Sequence, residues 1–175
     1  LSCEGCGVCA VFCPENAIEM KPHVSGYRFV SKTEHGSLIH ARLGIAEGNS
    51  GKLVSVLRKL SKEKAEAEHC GLIITDGSPG IGCPVIASVT GASFVLLITE
   101  PTVAGIHDMK RIHGLTKHFR VRTGVCVNKY DINIEKSGEI EGYCRENGLL
   151  FFGMIPYDRD VTEAQIAGKS VVEYS

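Results

Sequence analysis

The 175-residue chain lacks an excess of charge of either sign: 19 Lys and Arg against 20 Asp and Glu leave a formal net charge of -1. No global field pulls it toward nucleic acid or acidic lipid, and such a partner would need a local patch. It also lacks a continuous apolar run of membrane length. The longest uncharged stretch, Gly77 to Thr99, is broken by Ser78, Pro79, Gly80, Gly82, Pro84, Ser88, Thr90, Gly91 and Ser93. It reads as turn, helix, turn and strand, so no stable membrane insertion is expected. No signal peptide is visible. The composition, 43% hydrophobic and 22% charged, excludes disorder, collagen and coiled-coil rods. An initiating Met is missing too: Leu1 opens the chain and cysteines follow from residue 3, so the expectation is a piece of a longer protein.

What is present is concentrated at the start. Cys3, Cys6, Cys9 and Cys13, followed by Pro14, form the pattern C-x2-C-x2-C-x3-C-P, half of the eight cysteines in thirteen residues. Two-residue gaps let three thiolates converge on one iron-sulfur cube, and Gly5 and Gly7 let the backbone turn tightly enough to aim N–H groups at the sulfurs. A disulfide framework would spread its cysteines across the fold. A structural zinc site would need a second C-x2-C knuckle, which the chain lacks. The expected cofactor is therefore a 4Fe-4S cluster in a reducing, cytoplasmic setting.

The segment through Glu19 resembles one repeat of a bacterial-type ferredoxin, in which the fourth cysteine of such a run ligates the neighbouring cluster. Residues 1–22 then look like the second half of a ferredoxin module. A single cluster held by all four local cysteines is the alternative.

Beyond Pro22 the pattern changes. Residues 27–32 and 37–43 make a hairpin around His35-Gly36. Asn49 or Ser50 caps a helix to about Glu68, with Leu53, Val56, Leu57 and Leu60 on one face. Strands are expected at 71–75, 93–99, 121–128 and 149–155, and helices at 83–89, 103–119 and 134–146. Short apolar strands alternating with helices predict an α/β fold whose mostly parallel sheet is covered on both faces. In such sheets ligands bind beyond the carboxyl ends of the strands. Those ends carry Asp76-Gly77-Ser78-Pro79-Gly80, Glu100-Pro101, Asn128-Lys129-Tyr130-Asp131 and Pro156-Tyr157-Asp158, the make-up of a nucleotide site.

The run from Asp76 to Val85, with Thr99-Glu100-Pro101-Thr102 and Val127-Asn128-Lys129, resembles the MinD/ParA group of P-loop ATPases, and most closely its members with an inserted ferredoxin domain. The resemblance covers nearly the whole chain and makes 23–175 the C-terminal part of the ATPase domain. It implies ATP and Mg as cofactors. Asp76 matches the acid that ends the Walker B strand near magnesium, and Gly80 the switch II glycine whose N–H reads the terminal phosphate. Asn128 matches the asparagine that pairs with adenine, and Pro156 and Asp158 the segment bordering the base. A homodimer of the intact protein and a redox or metallocluster-assembly partner are implied as well. Cys83 lies at the offset where the related nitrogenase iron protein presents a cluster ligand. A small residue opening a helix is the plainer reading, because that relative's second interface cysteine has no match.

Two departures accompany the match. Ser78 stands where many members carry Pro. The phosphate-binding loop is missing: Gly48-Asn49-Ser50-Gly51-Lys52 would put the first P-loop glycine at Ala46 and the magnesium hydroxyl at Leu53. It reads as a helix N-terminus, so these residues alone should not hydrolyse ATP. Two other functions compete. An amidotransferase like cobyrinic acid a,c-diamide synthase would need a glutaminase domain with a nucleophilic cysteine, and a plain electron-transfer ferredoxin with an attached binding domain would be indifferent to ATP. His107, His113 and His118 share no i, i+4 ligand pair and read as solvated helix residues. Lys110, Arg111, Lys117, Arg120 and Arg122 lack interleaved aromatics, so nucleic-acid binding is not expected. Cys70, Cys126 and Cys144 read as ordinary free thiols.

Overall fold

A computed structural model describes residues 5–45, 47–48 and 50–174; Cys3, Ala46 and Asn49 lie outside the described residues. The chain forms two compact units, Leu1–Ser88 and Val89–Ser175.

In the first unit, a single helical turn, α1 (Val8–Val11), follows the cysteine-rich opening. The expected hairpin is present as β1 (Gly26–Thr33) and β2 (Gly36–Leu43), antiparallel with Val30 opposite Ile39. Its turn is held by Thr33, whose Oγ1 donates to the Gly36 carbonyl at 2.7 Å and accepts the His35 N–H at 3.2 Å. The facing residues Phe29 and His40 stack at 5.2 Å. Helix α2 (Gly51–Ala67) is capped by Ser50, whose side chain accepts the Leu53 N–H. Gly51 and Lys52 thus open a helix, as the spacing predicts. Helix α3 (Cys83–Val89) is tied to α2 by Arg58, which donates to the Ala87 carbonyl at 2.7 Å. Gly51 is required where these helices meet, because a Cβ there would sit 2.8 Å from the Cys83 carbonyl oxygen.

The strand expected at 71–75 does not form. Residues 72–78 have no regular structure and join no ladder, and Leu72 and Ile74 are 74% and 85% exposed. An apolar run becomes a strand only when neighbours accept its hydrogen bonds, and none of the described strands does so.

The second unit carries the parallel sheet. Strands β3 (Phe94–Thr99), β4 (Arg122–Asn128) and β5 (Leu150–Ile155) pair in the order β3-β4-β5. Thr99 lies opposite Val127, and Asn128 opposite Ile155. Helices α4 (Val103–His118) and α5 (Ile134–Glu146) connect them. Ile106, Met109, His113 and Thr116 recur at helical spacing on α4, as do Ser137, Ile140 and Cys144 on α5, and all are buried. With Leu97, Val125 and Val127, the apolar members of these sets form the core.

Within the second unit, exposure alternates along β3 and β5. Leu96, Ile98 and Phe152 are exposed while Leu97, Val125 and Val127 are buried. Strands joined in simple succession by right-handed crossovers place their helices on the same side. One irregularity bends this sheet: Val125 and Cys126 face Phe151 and Gly153, so Phe152 is an extra residue on β5, and Gly153 takes φ 112°. Two further helices, α6 (Arg159–Ile166) and α7 (Val171–Tyr174), end the chain. No helix among the described residues is long and apolar enough to cross a membrane.

Candidate functional site

The carboxyl ends of the three parallel strands converge on one end of the second unit. At the first, Thr102 accepts the Gly105 N–H at 3.0 Å and caps α4. Gly105 is needed there, because a Cβ would run into the Glu100 carbonyl. At the second, Asn128 closes β4 and Lys129 adopts a left-handed conformation, φ 54° and ψ 47°. A 3-10 turn (Tyr130–Ile132) follows, and Asn133 caps α5 by accepting the Lys136 N–H at 3.0 Å. Ser137 donates to the carbonyls of Tyr130 and Asn133, holding the turn against the helix. At the third, Pro156 and Tyr157 lead to Asp158, which caps α6 by accepting the Asp160 N–H at 2.9 Å.

Two contacts cross between these ends. Lys129 Nζ donates to Glu100 Oε1 at 2.7 Å, joining β4 to β3, and the bond raises the Lys129 pKa. Asp131 Oδ1 accepts the Tyr157 N–H at 2.7 Å, joining the turn after β4 to the exit of β5. The sequence carries a trace of the first contact. Opposite charges occupy the first positions past two adjacent parallel strands, Glu100 after Thr99 and Lys129 after Asn128.

Of the residues singled out from sequence, Asn128, Pro156 and Asp158 are thus brought to one sheet end. Asp158 has an additional structural task, since its carboxylate caps a helix that the sequence pattern had not revealed. Asp76 and Gly80 belong to the first unit, in the irregular segment before α3. Asp76 is exposed, and Gly80 takes φ 82°, a conformation in which glycine is the unstrained choice.

Gly5 and Gly7 have φ 66° and 76°, and Cys13 Sγ accepts the Ala17 N–H at 3.4 Å. Cys6 and Cys9 are exposed and Cys13 is half-buried. Among the described residues, which exclude Cys3, no three His, Cys, Asp or Glu side chains already stand together as a metal site. The other thiols differ. Cys126 and Cys144 are buried, and desolvation raises both pKa values, which makes them poor nucleophiles and poor ligands.

One histidine differs from its expected solvated state. His113 is buried, its Nδ1 lies 2.8 Å from the Tyr143 hydroxyl, and burial lowers its pKa. The helical face formed by Ile106, Met109 and Thr116 includes it at regular spacing, a signal its polarity obscures. His107 and His118 are exposed.

No family model matches the chain. It is 27% identical over 173 residues to an uncharacterized protein, MJ0579, of Methanocaldococcus jannaschii, covering 99% of this chain and 57% of that protein. It is 36% identical over 96 residues to a second uncharacterized protein of the same organism, MJ0578, covering 55% of this chain and 33% of that protein. The chain therefore spans little more than half the length of the first relative and a third of the second.

The three strand ends can jointly offer a side-chain amide, carboxylates, backbone N–H groups at helix starts and an ion pair. Such a set recognises a polar, planar or anionic small molecule rather than an apolar one.

Proposed function

We propose that the chain is part of an iron-sulfur ATPase of the MinD/ParA type, in which nucleotide state governs a dimer or partner contact used in electron transfer or metallocluster assembly. The observation that carries this reading is the convergence of Asn128 with Pro156 and Asp158 at the carboxyl ends of a parallel α/β sheet, the place where such sheets bind nucleotides. In this reading Asn128 pairs with the adenine edge and the Pro156–Asp158 segment borders the base. Asp76 serves the magnesium and its water shell. Gly80, already at positive φ, offers its N–H to the terminal phosphate.

Cys3, Cys6 and Cys9 would hold a 4Fe-4S cluster, with Cys13 as its fourth ligand or as a ligand of a neighbouring cluster. Their fit rests on the all-thiolate donor set, the two left-handed glycines and the N–H donated to Cys13. A bound cluster supplies one-electron chemistry, and the protein sets its potential through such hydrogen bonds. Asp76, Gly80 and the residues between them form the segment whose order would follow the nucleotide, as a terminal phosphate biases a switch loop. A homodimer, a redox or assembly partner and a cytoplasmic location belong to the same proposal. Without a phosphate-binding loop these residues bind nucleotide but do not hydrolyse it.

Anaerobic native mass spectrometry, with and without Mg·ATP, tests the reading. Iron and sulfide bound in cluster stoichiometry, together with nucleotide, is the expected spectrum. Loss of iron in Cys13→Ala without loss of nucleotide would separate the two sites. A chain reconstituted under reducing conditions that takes up neither iron nor nucleotide would overturn the proposal.

A further inference from the structure

Four non-glycine residues among those described have left-handed backbones: Asn16, His69, Arg120 and Lys129. Two have an ordinary explanation. His69 and Arg120 directly follow the capping residues of α2 and α4, and Cys70 and Val121 donate back to Ala65 and Thr116 in the usual helix-ending pattern. Asn16 lies in a tight turn, its N–H bonded to the Cys13 carbonyl, and asparagine tolerates that conformation. Lys129 differs. It ends no helix, it is neither Gly nor Asn, and it directly follows Asn128 at the strand end.

A glycine would adopt φ 54° there without strain, whereas a residue with a Cβ is disfavoured. What the lysine adds is its ion pair. Reaching Glu100 at 2.7 Å, it fixes the peptide after Asn128 relative to β3. Asp131, two residues on, fixes the same turn relative to Tyr157. The segments that flank Asn128 and lead to Asp158 are therefore held by charge-assisted contacts, which are shorter and stronger than neutral hydrogen bonds.

We propose that Glu100, Lys129 and Asp131 are positioning residues that set base specificity: they hold Asn128 and the Pro156–Asp158 segment as two sides of a purine slot. The inference rests on the nucleotide reading above and deepens it. A carboxamide reads adenine through one donor and one acceptor. Replacing the 6-amino group by a carbonyl, as in inosine, leaves two like groups facing each other. Discrimination between these bases requires the amide to be held in one orientation, and the clamp supplies that restraint.

AMP and IMP, which differ in the 6-substituent and in the N1 proton that accompanies the carbonyl, are the probes, and amide chemical-shift titration of the chain is the readout. The unaltered chain is expected to bind AMP about tenfold more tightly than IMP, the discrimination of one good paired contact. Glu100→Gln and Lys129→Met bring that ratio close to one. Lys129→Arg keeps the ion pair and the ratio, and so does Asp131→Asn, which retains an acceptor for the Tyr157 N–H. The same spectra report whether each variant is folded. Retention of full discrimination by folded Glu100→Gln and Lys129→Met would overturn the clamp while leaving the nucleotide reading intact. Equal affinity of the unaltered chain for AMP and IMP would overturn it as well. Absence of any AMP binding would remove the nucleotide reading itself.

Discussion

Leu72-Ile73-Ile74 and Val125-Cys126-Val127 are runs of similar apolarity, and both read as buried strands. Only the second is one. Val125 and Val127 have no exposed surface, sit between β3 and β5 and touch α4 and α5 residues in the core, whereas Leu72 and Ile74 are largely exposed and unpaired. The difference teaches that apolarity marks a segment as suited to a parallel sheet, while the ladder on either side makes it a strand. The two sides of β3 repeat the lesson on a smaller scale: Leu97 is 8% exposed under the helices, and its neighbour Leu96 is 47% exposed on the other face.

Substitution of matched residues breaks or sharpens this contrast. Ile140 is fully buried against the sheet, so Ile140→Ala should cost about 2–5 kcal/mol, read as a fall in the urea midpoint. Ile74→Ala should stay within about 0.5 kcal/mol, as substitutions at exposed sites do. A large loss at Ile74 would mean that the 72–78 segment is packed in solution and would erase the contrast.

Glycines at the two kinds of position sharpen it further. Gly105→Ala drives a Cβ into the Glu100 carbonyl and should destabilise the second unit by about 1–3 kcal/mol. Gly142→Ala, in open space on α5, should stabilise the protein by up to about 1 kcal/mol through helix propensity. Opposite signs in thermal unfolding are expected.

The smallest effect is a pH dependence. Burial holds the His113 pKa below its ordinary value of 6.5, so the unfolded chain binds a proton more readily than the folded one. The resulting stability is fully present above pH 6.5 and declines as pH falls through the lowered folded value. His113→Gln should remove that component. An unchanged acid limb would assign it to other groups.

Much of the second unit was legible in the sequence because its elements announce themselves locally. Apolar runs at 93–99, 121–128 and 149–155 alternate with the helical segments 103–119 and 134–146. Helix α6 was not legible, because a polar eight-residue helix with one buried residue, Ala164, leaves little periodicity. The burial of His113 is not legible for a related reason: its partner, Tyr143, lies thirty residues away. At the candidate site, Asn128, Pro156 and Asp158 were visible as residues suited to the task. The Glu100–Lys129 and Asp131–Tyr157 contacts were not, since they join positions 26 to 29 residues apart.

The sequence by itself determined the hairpin, the helices α2 to α5, the three strands between and after them, and the cysteine pattern, because turn chemistry, capping and periodicity act over a few residues. The tertiary structure alone decided which apolar run became a strand, which sheet face was covered and which charges met at the strand ends. Those outcomes depend on which partners are within reach, and that is settled only when distant segments pack.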